Sequence, residues 1–412
     1  DRGRVDCVQR SAGLQPGDKF LKIGDSTVTG HHIDANQVKQ LLRGLRGSKV
    51  QVTLLRSKER KELTITRGII PLYSLDAGYM IAPVTGYIRL NKFSETTYEE
   101  FMEAMQKLKE AGAQKLILDL RGNGGGILQE SVEIADEFLD GNKLIVYTQG
   151  SNVKKQDFRA RREGIFEKGK LIVLVDEGSA SASEVLTGAL QDWDRAEVIG
   201  RRTFGKGLVQ EQYNLNDGSA LRLTIARYYT PLGRSIQKPY DKGIESYNEE
   251  LYDRYHHGAM MNADSNKITT GQAYRTPNGK LVYGGGGITP DVFVAMDTTG
   301  ISNKLARLYN KNTIGNFVYR YYVAHIDDFK LFANPADFEK GFDINNTIWN
   351  AFTAFALQDS IKINDLSAGD KQFITRRLKS LFARQQWRNE GFYEVNNVND
   401  PMVIKALEAL GE

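Results

Sequence analysis

The sequence predicts an α/β core preceded by a small β-rich unit and followed by a helical region. Three observations carry this. Two apolar runs without alternation, Lys115-Leu116-Ile117-Leu118-Asp119-Leu120 and Leu171-Ile172-Val173-Leu174-Val175, suit strands covered on both faces, as in a largely parallel sheet. Short strand-like segments crowd the first 70 residues, and from about residue 300 the periodicity is helical. These shifts set expected boundaries at 1–70, 71–298 with an insertion at about 238–283, and 299–412.

In the first segment Val50-Gln51-Val52-Thr53-Leu54-Leu55 and Leu63-Thr64-Ile65 read as strands around a charged turn at 57–61. Val38, Leu41, Leu42 and Leu45 recur at helical spacing between Asp34 and Gly47. In the core, Tyr87-Ile88-Arg89-Leu90 is a short strand, and Thr97-Tyr98-Glu99-Glu100 reads as a capping box. It opens a helix with Phe101, Met105 and Leu108 on one face. Residues 208–229 alternate, as antiparallel strands do, and 240–280 is polar and tyrosine-rich, which reads as a long surface insertion. In the helical region Ile348, Phe352 and Phe355 form one stripe, and Ile374, Leu378, Leu381 and Phe382 another. Asp400-Pro401 is an N-cap followed by proline at the first helical position. Packing is the expected role of this region.

With 41% hydrophobic and 26% charged residues over 412 positions, the chain has the balance of a soluble globular protein of two or three domains. A net charge of +4 without any Lys/Arg block argues against nucleic acid as a partner. Cys7 is the single cysteine, so no intramolecular disulfide forms and no Cys/His metal cluster can be drawn; neither metal nor cofactor is expected. No apolar run reaches the roughly 18 residues of a membrane span. The sequence opens in mid-pattern at Asp1 without a signal peptide, which leaves room for a targeting segment upstream.

Three stretches carry chemistry, two of them directly behind buried strands, where open α/β sheets place their sites. Arg121-Gly122-Asn123-Gly124-Gly125-Gly126 has four glycines in five positions, leaving backbone N–H groups unscreened and able to bind a developing anion. Its spacing fails the third position of a dinucleotide fingerprint at Ile127. Asp176-Glu177-Gly178-Ser179-Ala180-Ser181-Ala182-Ser183-Glu184 is rich in small residues that let a substrate backbone approach, and the helix after it points its positive end at the loop. Its three serines compete as nucleophile or ordinary N-cap, and the residues alone do not choose among them. Thr203-Phe204-Gly205-Lys206-Gly207 sets a lysine between two glycines. Gly207 stands where a phosphate-binding loop needs Ser or Thr, and a strand rather than a helix follows, which opposes nucleotide binding. On an extended segment Lys206 and Gln210 project to the same face.

At these stretches the sequence resembles the C-terminal processing, or tail-specific, serine peptidases. The shared motifs are the glycine loop after a D-L-R strand end, S-A-S-A-S-E, and T-F-G-K-G with a glutamine four residues past the lysine. Tyr229-Thr230-Pro231-Leu232-Gly233-Arg234-Ser235-Ile236 and Gly287-Ile288-Thr289-Pro290-Asp291 extend the likeness, which runs from about Ala12 to Pro290. The stretch 12–23 is similar to the middle of a PDZ domain, without the loop that holds a terminal carboxylate. The resemblance implies a mixed-sheet core of the crotonase/ClpP-like type, a partial PDZ-like unit, and an exported enzyme, in the periplasm or envelope of a bacterium. It implies Ser181 as nucleophile, Lys206 as general base, Gln210 as the residue orienting the lysine, and oxyanion donors at Ala182 and at Gly125 or Gly126. It also implies protein or peptide substrates with accessible C-termini, with Val38, Leu41 and Leu42 as one wall of a peptide groove, and it allows a homo-oligomer.

That chemistry is coherent in physical terms. A serine hydroxyl needs a base beside it, and a lysine serves only when neutral, which burial favours. Phe204 and Leu208 are expected to line such a pocket. His31 and His32, His256 and His257, and His325 all fall outside the core's strand ends, so no histidine triad is expected.

Overall fold

The computed structural model describes residues 12–30, 33–70, 72–266, 272–296 and 302–412. They cluster as two compact units, one of 1–72 with 312–331 and one of 73–311 with 332–412. His31 and His32 lie outside the described residues.

The first unit is an antiparallel sheet of β1 (Lys19–Ile23), β2 (Ser26–Thr27), β3 (Lys49–Arg56) and β4 (Glu59–Thr66), in the order β2-β1-β3-β4. Pairing of Arg56 with Glu59 shortens the expected charged turn to Ser57 and Lys58. Helix α1 (Ala35–Leu42) opens on a capping box: Asp34 Oδ1 accepts the amides of Asn36 and Gln37, and Gln37 Oε1 accepts that of Asp34. Val38, Leu41 and Leu42 are half-buried against the core of Ile23, Val52 and Leu54, so they face this unit's own sheet. The helix Thr313–Ala324 belongs to the same unit. Gly17 donates its amide to Tyr319 Oη at 3.2 Å, and any Cβ there would sit 2.6 Å from Val323 Cγ1, so this turn at φ +91° requires glycine. A segment expected in the helical region is therefore part of the N-terminal unit.

The second unit begins with the hairpin β5 (Leu75–Ala82) and β6 (Thr85–Leu90), then α2 (Thr97–Glu110), β7 (Lys115–Asp119), α3 (Leu128–Asp136), β8 (Leu144–Gln149) and β9 (Gln156–Arg159). It continues with β10 (Leu171–Val175), α4 (Ala182–Asp192), β11 (Glu197–Gly200), β12 (Leu208–Asn214) and β13 (Ala220–Tyr229). Helix α5 (Gly243–His256), the short hairpin β14 (Ala273–Arg275) and β15 (Leu281–Tyr283), and β16 (Val292–Phe293) complete the α/β part. The main sheet has the order β16-β11-β10-β7-β6-β5 and is parallel except between β5 and β6. A second sheet, β12-β13-β8-β9, is antiparallel, as the alternation at 208–229 predicts.

The apolar runs divide between the two faces of the main sheet. Leu116, Leu118, Val173 and Val175 pack under α2, α3 and α4. Ile117, Ile172, Leu174 and Ile199 face Met402, Val403, Ala406 and Leu410 of the last helix, Pro401–Leu410. That helix is capped by Asp400, whose Oδ1 accepts the amides of Met402 and Val403, with proline in the first turn as expected. The other stripes are also buried, at Ile348 and Phe352 and at Ile374, Leu378 and Phe382.

The capping box read at Thr97 is not formed. The N-cap is Thr96, without a side-chain cap bond, and Thr97 lies inside the first turn, its Oγ1 accepting the Ser94 amide at 2.7 Å. Glu100 instead reaches out of the helix, Oε2 accepting the amides of Ser74 and Leu75. Because Val403 is wholly buried between its helix and the sheet, Val403→Ala should lower stability by about 1–3 kcal/mol, read as a lower urea midpoint at unchanged slope.

Candidate active site

Strands β7, β10 and β11 are parallel neighbours, so the loops leaving their carboxyl ends emerge side by side. These are the glycine loop, the serine loop and the lysine loop.

Asn123 joins the first two. Its side chain is buried, Nδ2 donating to Leu90 O at 3.0 Å and Oδ1 accepting the Gly125 amide at 2.9 Å. Its backbone carbonyl accepts the Ala180 amide and the Ser183 hydroxyl, both at 2.9 Å. Gly125 (φ +90°) lies so close to the serine loop that a Cβ would be 2.6 Å from Ala180 O and 2.7 Å from Ser181 Cβ. Glycine is therefore obligatory there, for contact as well as for backbone conformation. The bond to Asn123 also corrects an expectation. The Gly125 amide is already donated and is not free to meet an oxyanion, whereas Gly126 is exposed.

The structure separates the three serines. Ser179 is buried, donating to Leu120 O at 2.8 Å and accepting the Asp176 amide. Ser183 is buried on Asn123 O. Both hydroxyls hold loops together. Ser181 stands between them, half-buried, at φ 57° and ψ −114°, a conformation non-glycine residues avoid. A strained residue at a strand-to-helix turn is how nucleophile elbows present a hydroxyl. Ala182 begins α4, whose eleven residues are all buried and whose N-terminal end carries positive potential toward the turn.

Glu184 joins the serine loop to the lysine loop. Its buried carboxylate accepts the Ser181 amide at 2.9 Å, the Thr203 hydroxyl at 2.5 Å, the Gly205 amide at 2.7 Å and the Lys206 amide at 2.8 Å. Burial pushes this carboxyl up, against the opposing pull of the Thr203 hydroxyl and the three amides. Thr203 Oγ1 in turn accepts the Ile288 amide. Sequence reasoning quoted Glu184 as part of a motif without giving it a task. Its capping-box position, three residues after Ser181, was the available signal.

Lys206 is brought to this cluster by its backbone, but its side chain is exposed rather than sunk in a pocket. The lysine that Phe204 covers is Lys238, 2% exposed, whose ammonium sits 4.2 Å from the ring centroids of Phe204 and Tyr247. Burial pushes its ammonium down, with Glu250 opposing. Gln210 lies on β12 opposite Thr224 and is exposed. That strand starts at Leu208, so the alternation expected to align Lys206 with Gln210 does not extend back to the lysine.

Beneath the glycine loop, Asp119 at the end of β7 is fully buried and accepts Tyr87 Oη, Arg89 and Arg121. Burial alone would raise its carboxyl, but Arg121 and Arg89 hold it well below the usual range. Arg121 Nη1 also donates to both carboxylate oxygens of Asp400, each at 2.9 Å. The residue that caps the last helix thus holds the root of the glycine loop. The histidines have other surroundings: His256 lies against the rings of Tyr252 and Tyr255, His257 Nδ1 contacts Asp253 O, and His325 stacks on Tyr321. Among the described residues no group of acidic, histidine or cysteine side chains could hold a metal, and no helix is long and apolar enough to cross a membrane.

On one edge of a parallel sheet, a strained serine at a helix start thus stands beside a glycine loop and a lysine loop. Residues 84–246 match the model of peptidase family S41. Residues 304–388 match a family of unknown function. The chain is 40% identical over 233 residues to the carboxyl-terminal-processing protease of Synechocystis sp., across 55% of this chain and 53% of that protein. It is 35% identical over 235 residues to the carboxy-terminal processing protease CtpA of Bacillus subtilis, across 57% and 49%. A solved photosystem II D1 C-terminal processing protease is 28% identical, covering 72% of this chain and 67% of its own, at a TM-score of 0.39. The chain spans about half the length of the curated relatives it matches.

The serines can be told apart by stability alone. Ser179→Ala and Ser183→Ala should each cost about 1 kcal/mol or more by removing a buried hydrogen bond. Ser181→Gly should gain about 1 kcal/mol by relieving the positive φ. Urea unfolding of the three variants checks the order.

Proposed function

We propose that this protein is a serine endopeptidase of the C-terminal processing type, cutting protein substrates through an acyl-enzyme on Ser181. The observation that carries the reading is Ser181 itself, strained at the start of buried α4 and tied through Glu184 to the backbone of Lys206. In this reading the Ser181 hydroxyl attacks the scissile carbonyl carbon while Lys206 Nζ takes its proton. The oxyanion is met by the Ala182 amide, aided by the helix end, and by Gly126 from the glycine loop. The lysine then gives its proton to the leaving amine, and a water deprotonated by the same lysine releases the acyl group. Gln210 orients the lysine when the site is occupied.

A lysine acts as a base only in its neutral form, which burial favours. Lys206 is exposed, so the burial that makes it a base has to come with the substrate, which covers it as the chain enters. Turnover of an unstructured protein should accordingly exceed that of a small ester using the same residues.

The N-terminal unit supports a substrate chosen by its C-terminus. A free sheet edge gains affinity from main-chain pairing, and apolar pockets read alternate side chains. Val38, Leu41 and Leu42 are half-buried toward their own core, and in this reading the apolar surface they leave exposed forms one wall of the peptide groove. The site of action is the cell envelope or periplasm of a bacterium, and the enzyme there works alone or as a homo-oligomer.

Two sets of measurements test this. Ser181→Ala and Lys206→Ala should each lower turnover of a disordered protein about 10⁴-fold or more, with the fold retained, because members of one catalytic unit are not additive. Each of the five histidine variants should keep substantial activity, and one as inactive as Ser181→Ala would end the dyad. For recognition, a disordered substrate ending in free apolar residues should be cut faster than the same chain ending in a charged residue or an amide. Equal rates for all three would show that the tail is not read.

A further inference from the structure

The segment 238–283 reads in sequence as a surface insertion, yet it places two cations inside the protein against the lysine loop, Lys238 at its start and Arg254 on α5. Arg254 is 5% exposed. Its guanidinium donates to Thr203 O at 2.7 Å and to Phe204 O at 3.3 Å, and lies 3.5 Å from Arg202 O. Glu250, one turn earlier on α5, holds both Arg254 and Lys238. The Lys238 backbone completes the contact, its amide donating to Gly205 O at 2.9 Å.

A guanidinium taken out of water is costly unless its donors are satisfied. Arg254 finds a carboxylate on one side, but toward the loop it is satisfied by successive backbone carbonyls. The amides of the same loop are held from the opposite side by Glu184. Gly207 is fixed as well, its amide on Gln237 Oε1 and its carbonyl accepting the Tyr228 amide. The strip from Thr203 to Gly207 is thus gripped through N–H groups by Glu184 and Gln237, and through carbonyls by Arg254 of α5 at Thr203 and Phe204 and by the Lys238 and Tyr228 amides at Gly205 and Gly207. The Lys206 side chain itself is exposed.

We propose that Arg254 is a positioning residue for the general base, with α5 acting as a clamp that fixes the backbone from which Lys206 reaches Ser181. This rests on the dyad reading. Arg254 touches neither substrate nor reacting atoms and acts through the loop carbonyls. A lysine at 254 keeps the charge but cannot fork across two carbonyls, so the loop would regain freedom on that side. Catalytic geometry is steep in distance, and a displacement of about 1 Å costs on the order of 100-fold.

The test uses the full chain and a disordered protein substrate. Arg254→Lys should lower kcat by about 10-fold to 100-fold with KM changed less than about 3-fold. Glu250→Gln, which loosens Arg254 without removing it, should give a smaller loss of the same kind. Tyr252→Ala, on the exposed side of α5, should change neither constant. The melting temperature of each variant is measured alongside. Arg254→Lys with wild-type kcat overturns the proposal, and so does a kcat loss that reverses fully on cooling in step with refolding, since that is ordinary destabilisation. Lys206→Ala separates the two readings. If it is inactive and Arg254→Lys is not impaired, the clamp fails and the dyad stands. If Lys206→Ala turns over normally, the dyad fails, and with it any role of Arg254 exerted through that lysine.

Discussion

A buried carboxylate that accepts from four donors on two loops is the constraint on which the site depends. Glu184 cannot leave its position without stranding the amides of Ser181, Gly205 and Lys206 and the hydroxyl of Thr203. Each stranded donor in such an interior costs about 1–3 kcal/mol. The strain at Ser181 persists because these bonds over-determine the turn. Gly125 adds a steric limit from the other side, since nothing larger than a hydrogen fits against Ala180 O and Ser181 Cβ. The strands bring three loops to one edge, and Glu184 with Asn123 turns that proximity into fixed geometry.

The parts outside the family match contribute through charge. Arg254 reaches the lysine loop from the insertion, and Asp400 reaches Arg121 from the last helix. In both cases an element distant in sequence grips the backbone or root of a site loop, not the reacting group itself. This gives the insertion and the helical region a physical role at the loops they hold.

The core and its loops were legible because each rests on local pattern. Unalternating apolar runs mark strands covered twice, and Leu171–Val175 is buried at all five positions. The serine and glycine loops were legible as a candidate site because small residues cluster directly behind such strands. What escaped was long-range and polar. That Ser179 and Ser183 serve packing could not be read without their partners Leu120 O and Asn123 O, about 60 residues away. The pocket expected around Lys206 failed because Phe204 turns to Lys238, a residue whose neighbourhood depends on how the insertion folds back. The box read at Thr97 missed by one residue because Glu100 found better donors, the Ser74 and Leu75 amides, across space. The N-terminal unit looked self-contained because nothing local links Gly17 to Val323, 306 positions later.

The last helix has a consequence for how the chain reaches this state. Ile117, Ile172, Leu174 and Ile199 remain open to water until residues 401–410 arrive, and Lys115 Nζ donates to Leu410 O across 295 positions. Contacts so far apart close late, because the entropy of the long loop is lost before the contact returns any energy. During that interval the unit is a half-covered parallel sheet with an apolar face, the kind of intermediate that aggregates. Refolding should therefore be slow and strongly concentration-dependent. A nascent chain of this protein stays adhesive until residues 401–410 have been made and docked.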